Sequence, residues 1–507
     1  MRLRTRAGLG AVAAGVVTVL LGGTAGAAPA AGAPGVGDSY YPGAGNGGYD
    51  VSHYDIRLTY QPTTDQLSGT TTILATTTQE LSSFNLDFGL KVNSVRVNNA
   101  PAKFANDPED PSELVVTPAR PLAARQPITV VVNYADTPSK VVIDGVTAWK
   151  KTPDGALAVD EPQSAEWWYP SNDHPTDKAT FDVSVEVPDN VSALSNGTLV
   201  RKTKNRAGWT RWNWRSTQPQ ATYLTSLEVG AFEIFQSTTP NGQPFITAYD
   251  PSLGEAVPAA KASIERTPEV NEFLATRFGP YPFEAQGGVA SNGLSFALEN
   301  QTRPVYGRGF WRSGTNTSVV AHENAHQWFG DSVAVGSWSD IWLNEGFATY
   351  AEYLWSEHEG EGTADELAEY TYDSYPADSP FWQVVVANPG ADKQFDGAVY
   401  DRGALAVHAL RKAVGDEAFF TILKTWQARK KGGTARIPEF IALAEKISGK
   451  PLFELFQTWI YAKGKPSVSP NGQPAAAART ASGPPVAPKS YPAIQLTHAE
   501  LAAHHRH

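Results

Sequence analysis

The sequence predicts an α+β multidomain protein, with an N-terminal antiparallel β saddle or sandwich followed by a mainly helical domain. Three observations carry that prediction. The chain has 507 residues, more than one hydrophobic core normally organises, so two or three domains are expected. Between about 49 and 238, β-branched and alternating runs are punctuated by turn signals such as Asn196-Gly197 and Asn241-Gly242. From 316 to 462 the apolar residues recur at helical spacing instead.

Taken in order, residues 1–27 read as a secretory signal peptide. Arg2, Arg4 and Arg6 precede an apolar stretch over 8–21, and Ala25-Gly26-Ala27 suits cleavage. The stretch is short for a bilayer span, which needs about 20 residues, and no other segment could cross a membrane. Residues 28–48, rich in Ala, Gly and Pro, form a leader. The β domain is placed at 49–238. Ile128 to Tyr134 is a β-branched run, and Phe181 to Val187 and Trp212 to Trp214 alternate. The helical domain is placed at 239–465. Helices are expected at 255–277 and, after the Gly279-Pro280-Tyr281-Pro282 break, from Gly403 to Lys412, Asp416 to Lys430, Pro438 to Ile447 and Pro451 to Ala462. Ser339 and Asp340 are candidate caps for a helix bearing Glu345. Residues 466–507 are Pro/Ala/Ser-rich without periodicity and read as a disordered tail.

The net charge of −11 and the lack of a basic run argue against a nucleic-acid partner. Cysteine is absent, so a zinc site here would have to use His, Asp or Glu. His322-Glu323-Asn324-Ala325-His326 places two imidazoles one helical turn apart on one face, where they can grip one metal ion beside Glu323 as general base. Such a match alone is weak, because it also occurs on salt-bridged surface helices. Here the flanks Val319-Val320 and Trp328-Phe329 are apolar, which points to burial. After eighteen intervening residues comes Glu345, a third ligand from a second helix. Together these point to one zinc ion and metal-assisted hydrolysis. Glu352, two turns beyond Glu345 on the same face, is a candidate acceptor for a ligand imidazole.

With these residues in hand, the chain resembles the aminopeptidase N family of zinc metallopeptidases, the gluzincins that include leukotriene hydrolase. The resemblance runs from about 50 to 465. His322-Glu323-x-x-His326-Gln327-Trp328-Phe329-Gly330-Asp331 and Trp342-Leu343-Asn344-Glu345-Gly346-Phe347-Ala348 carry it. It implies a thermolysin-like catalytic domain and a secreted zinc aminopeptidase acting on peptides with a free N-terminus. Phe296-Ala297-Leu298-Glu299-Asn300 stands where the family has Gly-x-Met-Glu-Asn. The resemblance assigns Glu299 to the substrate's α-amine and places Ala297 and Asn300 on the substrate side. It assigns Glu161, in Asp160-Glu161-Pro162, to the same amine. Tyr400, in Val399-Tyr400-Asp401-Arg402-Gly403, becomes the donor to the tetrahedral intermediate.

Two departures stand out. The family's Gly and Met are replaced by Phe296 and Leu298. Family members also usually continue into a helical C-terminal domain, whereas this chain turns low-complexity soon after Trp459-Ile460-Tyr461. A more open cleft is therefore expected. Three alternatives remain at this point: a same-fold hydrolase of a non-peptide substrate, an endopeptidase, and a catalytically silent zinc-containing binding protein.

Overall fold

The computed structural model describes residues 29–474 and 486–504. The signal-peptide reading of 1–27 lies outside them. Among the described residues no helix is long and apolar enough to cross a membrane.

The N-terminal half is built on an eight-stranded sheet. Its spatial order is Thr198–Arg206, Trp209–Gln220, Ala179–Pro188, Tyr49–Gln61, Gln66–Thr77, Pro127–Asp136, Val92–Val97 and Ala100–Pro101. Alternation puts Val51, Tyr54, Ile56, Leu58 and Tyr60 of one strand into the core. Neighbours run antiparallel except at one junction, where Ala179–Pro188 lies parallel to Tyr49–Gln61 with Phe181 opposite Tyr54. Two four-stranded sheets complete this half. Residues 29–48 are more than a leader. Ala30–Ala31 pairs with Leu81–Asp87, the Asp38 carboxylate accepts from the Trp338 amide (2.9 Å), and Tyr41 Oη donates to Gln394 Oε1 (2.8 Å).

The second half opens with a five-stranded sheet in the order Glu233–Thr238, Pro244–Tyr249, Gln286–Ser291, Val305–Gly307 and Ala297–Leu298. Its first strand thus begins before residue 239. Helices follow: α1 (Val257–Ile264), α2 (Thr267–Phe278), α3 (Thr317–Ala325), α4 (Trp342–Glu359), α5 (Ala364–Ser374), α6 (Gly397–Val414), α7 (Asp416–Lys430) and α8 (Ile437–Ser448). The stretch expected as one helix over 255–277 is two, with Pro268 at the start of the second. The caps expected from Ser339 and Asp340 do not form. Ser339 bonds Ser337, and Asp340 accepts from the Ile437 amide and pairs with Arg436, so it ties α4 to α8 instead.

The halves are riveted by polar contacts. Lys178 donates to the carbonyls of Asp331 and Ser332, just after the His-Glu-x-x-His segment. Buried Arg303 donates to the carbonyls of Ser195 and Gly197.

The expected disordered tail over 466–507 is corrected in part: Tyr491–His504 is a helix packed on the second half. Its buried positions Ile494, Thr497, His498 and Leu501 follow the i, i+3, i+4, i+7 helical period. Two of the four are polar, so hydrophobic periodicity in the sequence is faint. Residues 475–485 and 505–507 lie outside the described part.

Candidate active site

Asn316 starts the metal-motif helix. Its side-chain oxygen accepts from the amides of Ser318 and Val319, which fixes the first turn of α3. His326 sits just past the last helical residue with its backbone still helical, so it keeps the four-residue stacking on His322. The two rings lie 4.9 Å apart. From α4, Glu345 Oε2 reaches within 3.3 Å of His322 Nε2 and 3.5 Å of His326 Nε2. A tetrahedral zinc with bonds of about 2.0–2.1 Å separates its ligand atoms by about 3.3–3.4 Å. The three side chains are buried and can hold that ion.

The other ring nitrogens are committed elsewhere. His326 Nδ1 donates to the Phe329 carbonyl (3.0 Å), and His322 Nδ1 donates to Glu352 Oε1 (2.9 Å). Both Nε2 atoms are thereby turned toward Glu345. Glu352 stands where the helical spacing put it, and the same oxygen accepts a second bond from His498 Nε2 (2.8 Å). On its far side His498 Nδ1 lies 2.8 Å from Asp401 Oδ1, an ion pair rather than a straight hydrogen bond. Burial lowers the basicity of His498, yet Glu352 and Asp401 outweigh it and hold the imidazole up at about 10.

Helices α4 and α6 cross closely because glycines face each other. A side chain on Gly346 or Gly403 would collide with Trp342 and with the opposite backbone, and Trp342 Nε1 donates to the Gly403 carbonyl (3.1 Å). The crossing brings Tyr400, one turn before Gly403, beside His322, with ring centroids 6.0 Å apart and planes 28° apart. Burial, then the Glu345 charge, pushes the phenol well above its ordinary range, so Tyr400 is a proton donor at any working pH.

Glu299 follows the edge strand Ala297–Leu298, which is paired with Val305–Gly307. Gln327 Nε2 donates to the Glu299 carbonyl (3.0 Å), and Tyr223 Oη donates to its carboxylate (3.0 Å). Glu161, from the β half, lines the same pocket as His322, Glu323, His326, Glu345 and Tyr400. Burial raises the pKa of Glu161 well above the carboxylate range, and Glu299 and Glu345 push it further. Burial also lifts Glu323 to about 8. Glu345 goes the other way: despite burial, His326 and His322 hold it at about 2. Oε1 of Glu161 and Oε1 of Glu323 are buried acceptors without a partner. Four carboxyls around two imidazoles are short of positive charge, and a dication together with an ammonium would supply it.

Of the candidate site residues singled out in the sequence, all but Asn300 line the pocket or hydrogen-bond to a residue that does. Asn300 is not among the residues that line the pocket. Its Nδ2 donates to the Leu224 carbonyl (3.1 Å), so it anchors the Glu299 loop to the β half. Phe296 is buried in the pocket wall. Sequence reasoning missed Tyr223, His498 and Leu501. Tyr223 and the 491–504 helix sit far from the motif in the chain, and no local signal marks them.

The comparisons agree with this geometry. The Peptidase M1 N-terminal domain matches residues 51–224, and the Peptidase family M1 domain matches residues 310–459. The chain is 28% identical over 343 residues to glutamyl aminopeptidase of Rattus norvegicus, covering 62% of this chain and 35% of that protein. It is 28% identical over 333 residues to Aminopeptidase M1 of Arabidopsis thaliana, covering 61% and 37%. It thus spans about a third of the length of these curated relatives. A solved M1 zinc metallopeptidase from Deinococcus radiodurans is 30% identical with a TM-score of 0.77, covering 89% of this chain and 100% of that one. A mutant of an M1 zinc metallopeptidase from the same organism, bound to a Tyr-Ser-Ala substrate, gives 30% identity and 0.76, covering 85% and 98%. With both domains matched and a whole solved relative overlaid at that identity, the chain belongs to peptidase family M1.

Proposed function

We propose that this protein is a secreted aminopeptidase that removes N-terminal residues from peptides. Zinc would be held by His322, His326 and Glu345; when bound, it supplies a Lewis acid and lowers the pKa of a water to about 7. Glu323 takes the proton of the attacking water and returns it to the leaving amine. Tyr400 donates to the oxygen that gains charge in the transition state. Glu161 and Glu299 hold the α-ammonium. The edge strand Ala297–Leu298 offers backbone groups to an extended peptide. Glu352 fixes the ring of His322. Secretion rests on the charged, then apolar, first 27 residues.

The observation that carries the reading is the pair Glu161 and Glu299 in the pocket of the metal triad, with Glu161 Oε1 unpartnered. Two buried carboxyls facing one ammonium favour a free N-terminus and penalise a blocked or internal residue, which brings no cation. The test compares an amino-acyl chromogenic amide with its N-acetylated twin, with and without chelator. Cleavage confined to the free amine and abolished by chelator is expected, and equal cleavage of both would refute the reading.

A further inference from the structure

The Tyr491–His504 helix lies outside both matched family segments, yet it reaches the catalytic centre. Ser490 Oγ lies 2.6 Å from Ser356 Oγ, and Lys489 pairs with Glu361 at the helix entry. Midway, Asn316, the cap of α3, donates to Thr497 Oγ1 (3.2 Å). Then His498 donates to Glu352, and Glu500 pairs with Arg312. Ile494 is 1% exposed among the apolar side chains of the catalytic domain.

The last turn ends at the metal triad. Leu501, 6% exposed, lines the same pocket as Glu161, Glu299, Glu323 and Tyr400. That pocket has a volume of about 20 Å³, and about 10–15 Å³ is room for a single water. Beside it lies a cleft of about 560 Å³ bordered by Glu161, Tyr41, Lys150 and Ala502. The cleft is of the size that small-ligand sites have, about 300–1,000 Å³, and the pocket is not. Leu501 and Ala502 stand where the two meet.

We propose that the 491–504 helix is an intramolecular plug of the catalytic centre. Leu501 fills the space that the first residue of a peptide must take, and the helix withdraws when substrate binds. This rests on the peptidase reading above. The plug competes with substrate, so it raises KM more than it lowers kcat. Its anchor residues are mostly polar, which suits reversible docking: each hydrogen bond they make is replaced by water on release.

The experiment uses the full-length zinc-loaded protein. Ile494→Asp places a charge under the helix, remote from the metal, and Leu501→Ala leaves the helix docked while emptying the pocket. Ile494→Asp is expected to raise kcat/KM on amino-acyl amides at least tenfold, chiefly through KM, and Leu501→Ala severalfold. A synthetic peptide spanning residues 488–504 should inhibit Ile494→Asp competitively. If Leu501 is instead a wall of the substrate's side-chain pocket, both variants lose kcat/KM and the peptide does nothing, which overturns the proposal; unchanged kinetics would do the same. Should Ile494→Asp fail to fold, Leu501→Ala decides alone. Binding of an amino-acid hydroxamate, read by calorimetry, separates the two readings. Tighter binding to the variants without turnover by any of them would sustain the plug and sink the peptidase assignment.

Discussion

The zinc pocket and the interior of the β half both bury carboxyl groups, and they compensate them by different means. Around the metal triad, Glu345 faces His322 and His326 and stays ionised, held at about 2. In the β half, Asp87, Asp173 and Asp177 are served by neutral donors. Asn46 Nδ2 and the Asp173 amide donate to Asp87 (2.9 and 2.7 Å), Thr222 donates to Asp173 (2.5 Å), and the Val51 amide donates to Asp177 (3.0 Å). Burial there lifts Asp173 to about 6 and Asp177 to about 7. Neutral hydrogen bonds satisfy a buried acid without keeping it charged, whereas cations keep it charged. The first arrangement makes structure and the second keeps Glu345 ready as a metal ligand, while Glu323 beside it is lifted to about 8 by burial.

The sharpest break of this contrast is Glu323→Gln. It keeps the shape and loses the base, so kcat should fall by about 10²–10⁴, while zinc content by atomic absorption stays at one per chain. Loss of zinc would recast Glu323 as structural. Next, Tyr400→Phe removes a donor aimed at transition-state charge and should lower kcat by about 10²–10³ with KM little changed; a change confined to KM would move Tyr400 to ground-state binding. Glu299→Ala should cost about 10–100-fold in kcat/KM on free-amine substrates, the worth of a charge-assisted hydrogen bond, and should narrow the gap to N-acetylated ones. An unaltered gap would leave Glu161 as the sole amine anchor.

The smallest effect tests the other interior. The folded pKa of Asp177 is raised to about 7, above about 3.9 in the unfolded chain. Its contribution to stability is therefore complete below about pH 4 and is lost as pH rises through about 7. Asp177→Asn cannot ionise, so relative to the parent it should gain about 2–4 °C in Tm between pH 5 and pH 8. Parallel melting curves for the two proteins would show that Asp177 is charged, like Glu345.

How much of this was legible in the sequence follows from locality. His322, Glu323 and His326 sit on one turn, and Glu352 lies two turns beyond Glu345, so helical period alone placed them together. Phe181 and Ile128 sat in strands because their runs alternate or branch. Glu299, Glu161 and Tyr400 reach the pocket from three separate elements, and only the family resemblance joined them. Asn300 does not join the pocket lining because adjacency in sequence hides direction: past the edge strand the chain turns, and its Nδ2 is engaged by the Leu224 carbonyl. Asp340 looked like a cap because its partners on α8 lie nearly a hundred residues away. The 491–504 helix was missed because its buried face is half Thr and His, which pattern reading scores as solvent-facing.

Glu161 and the zinc motif belong to opposite halves of the chain, and Lys178 clips the β half to the loop that leaves His326. On the proposed reading, the zinc ligands and the stop for a peptide's N-terminus are thus mounted on different parts. Grafting a β half from another family member would leave the cutting edge intact and move the stop. The position of the first severed bond along a peptide would then be set by the graft, through the Lys178 and Arg303 contacts that join the halves.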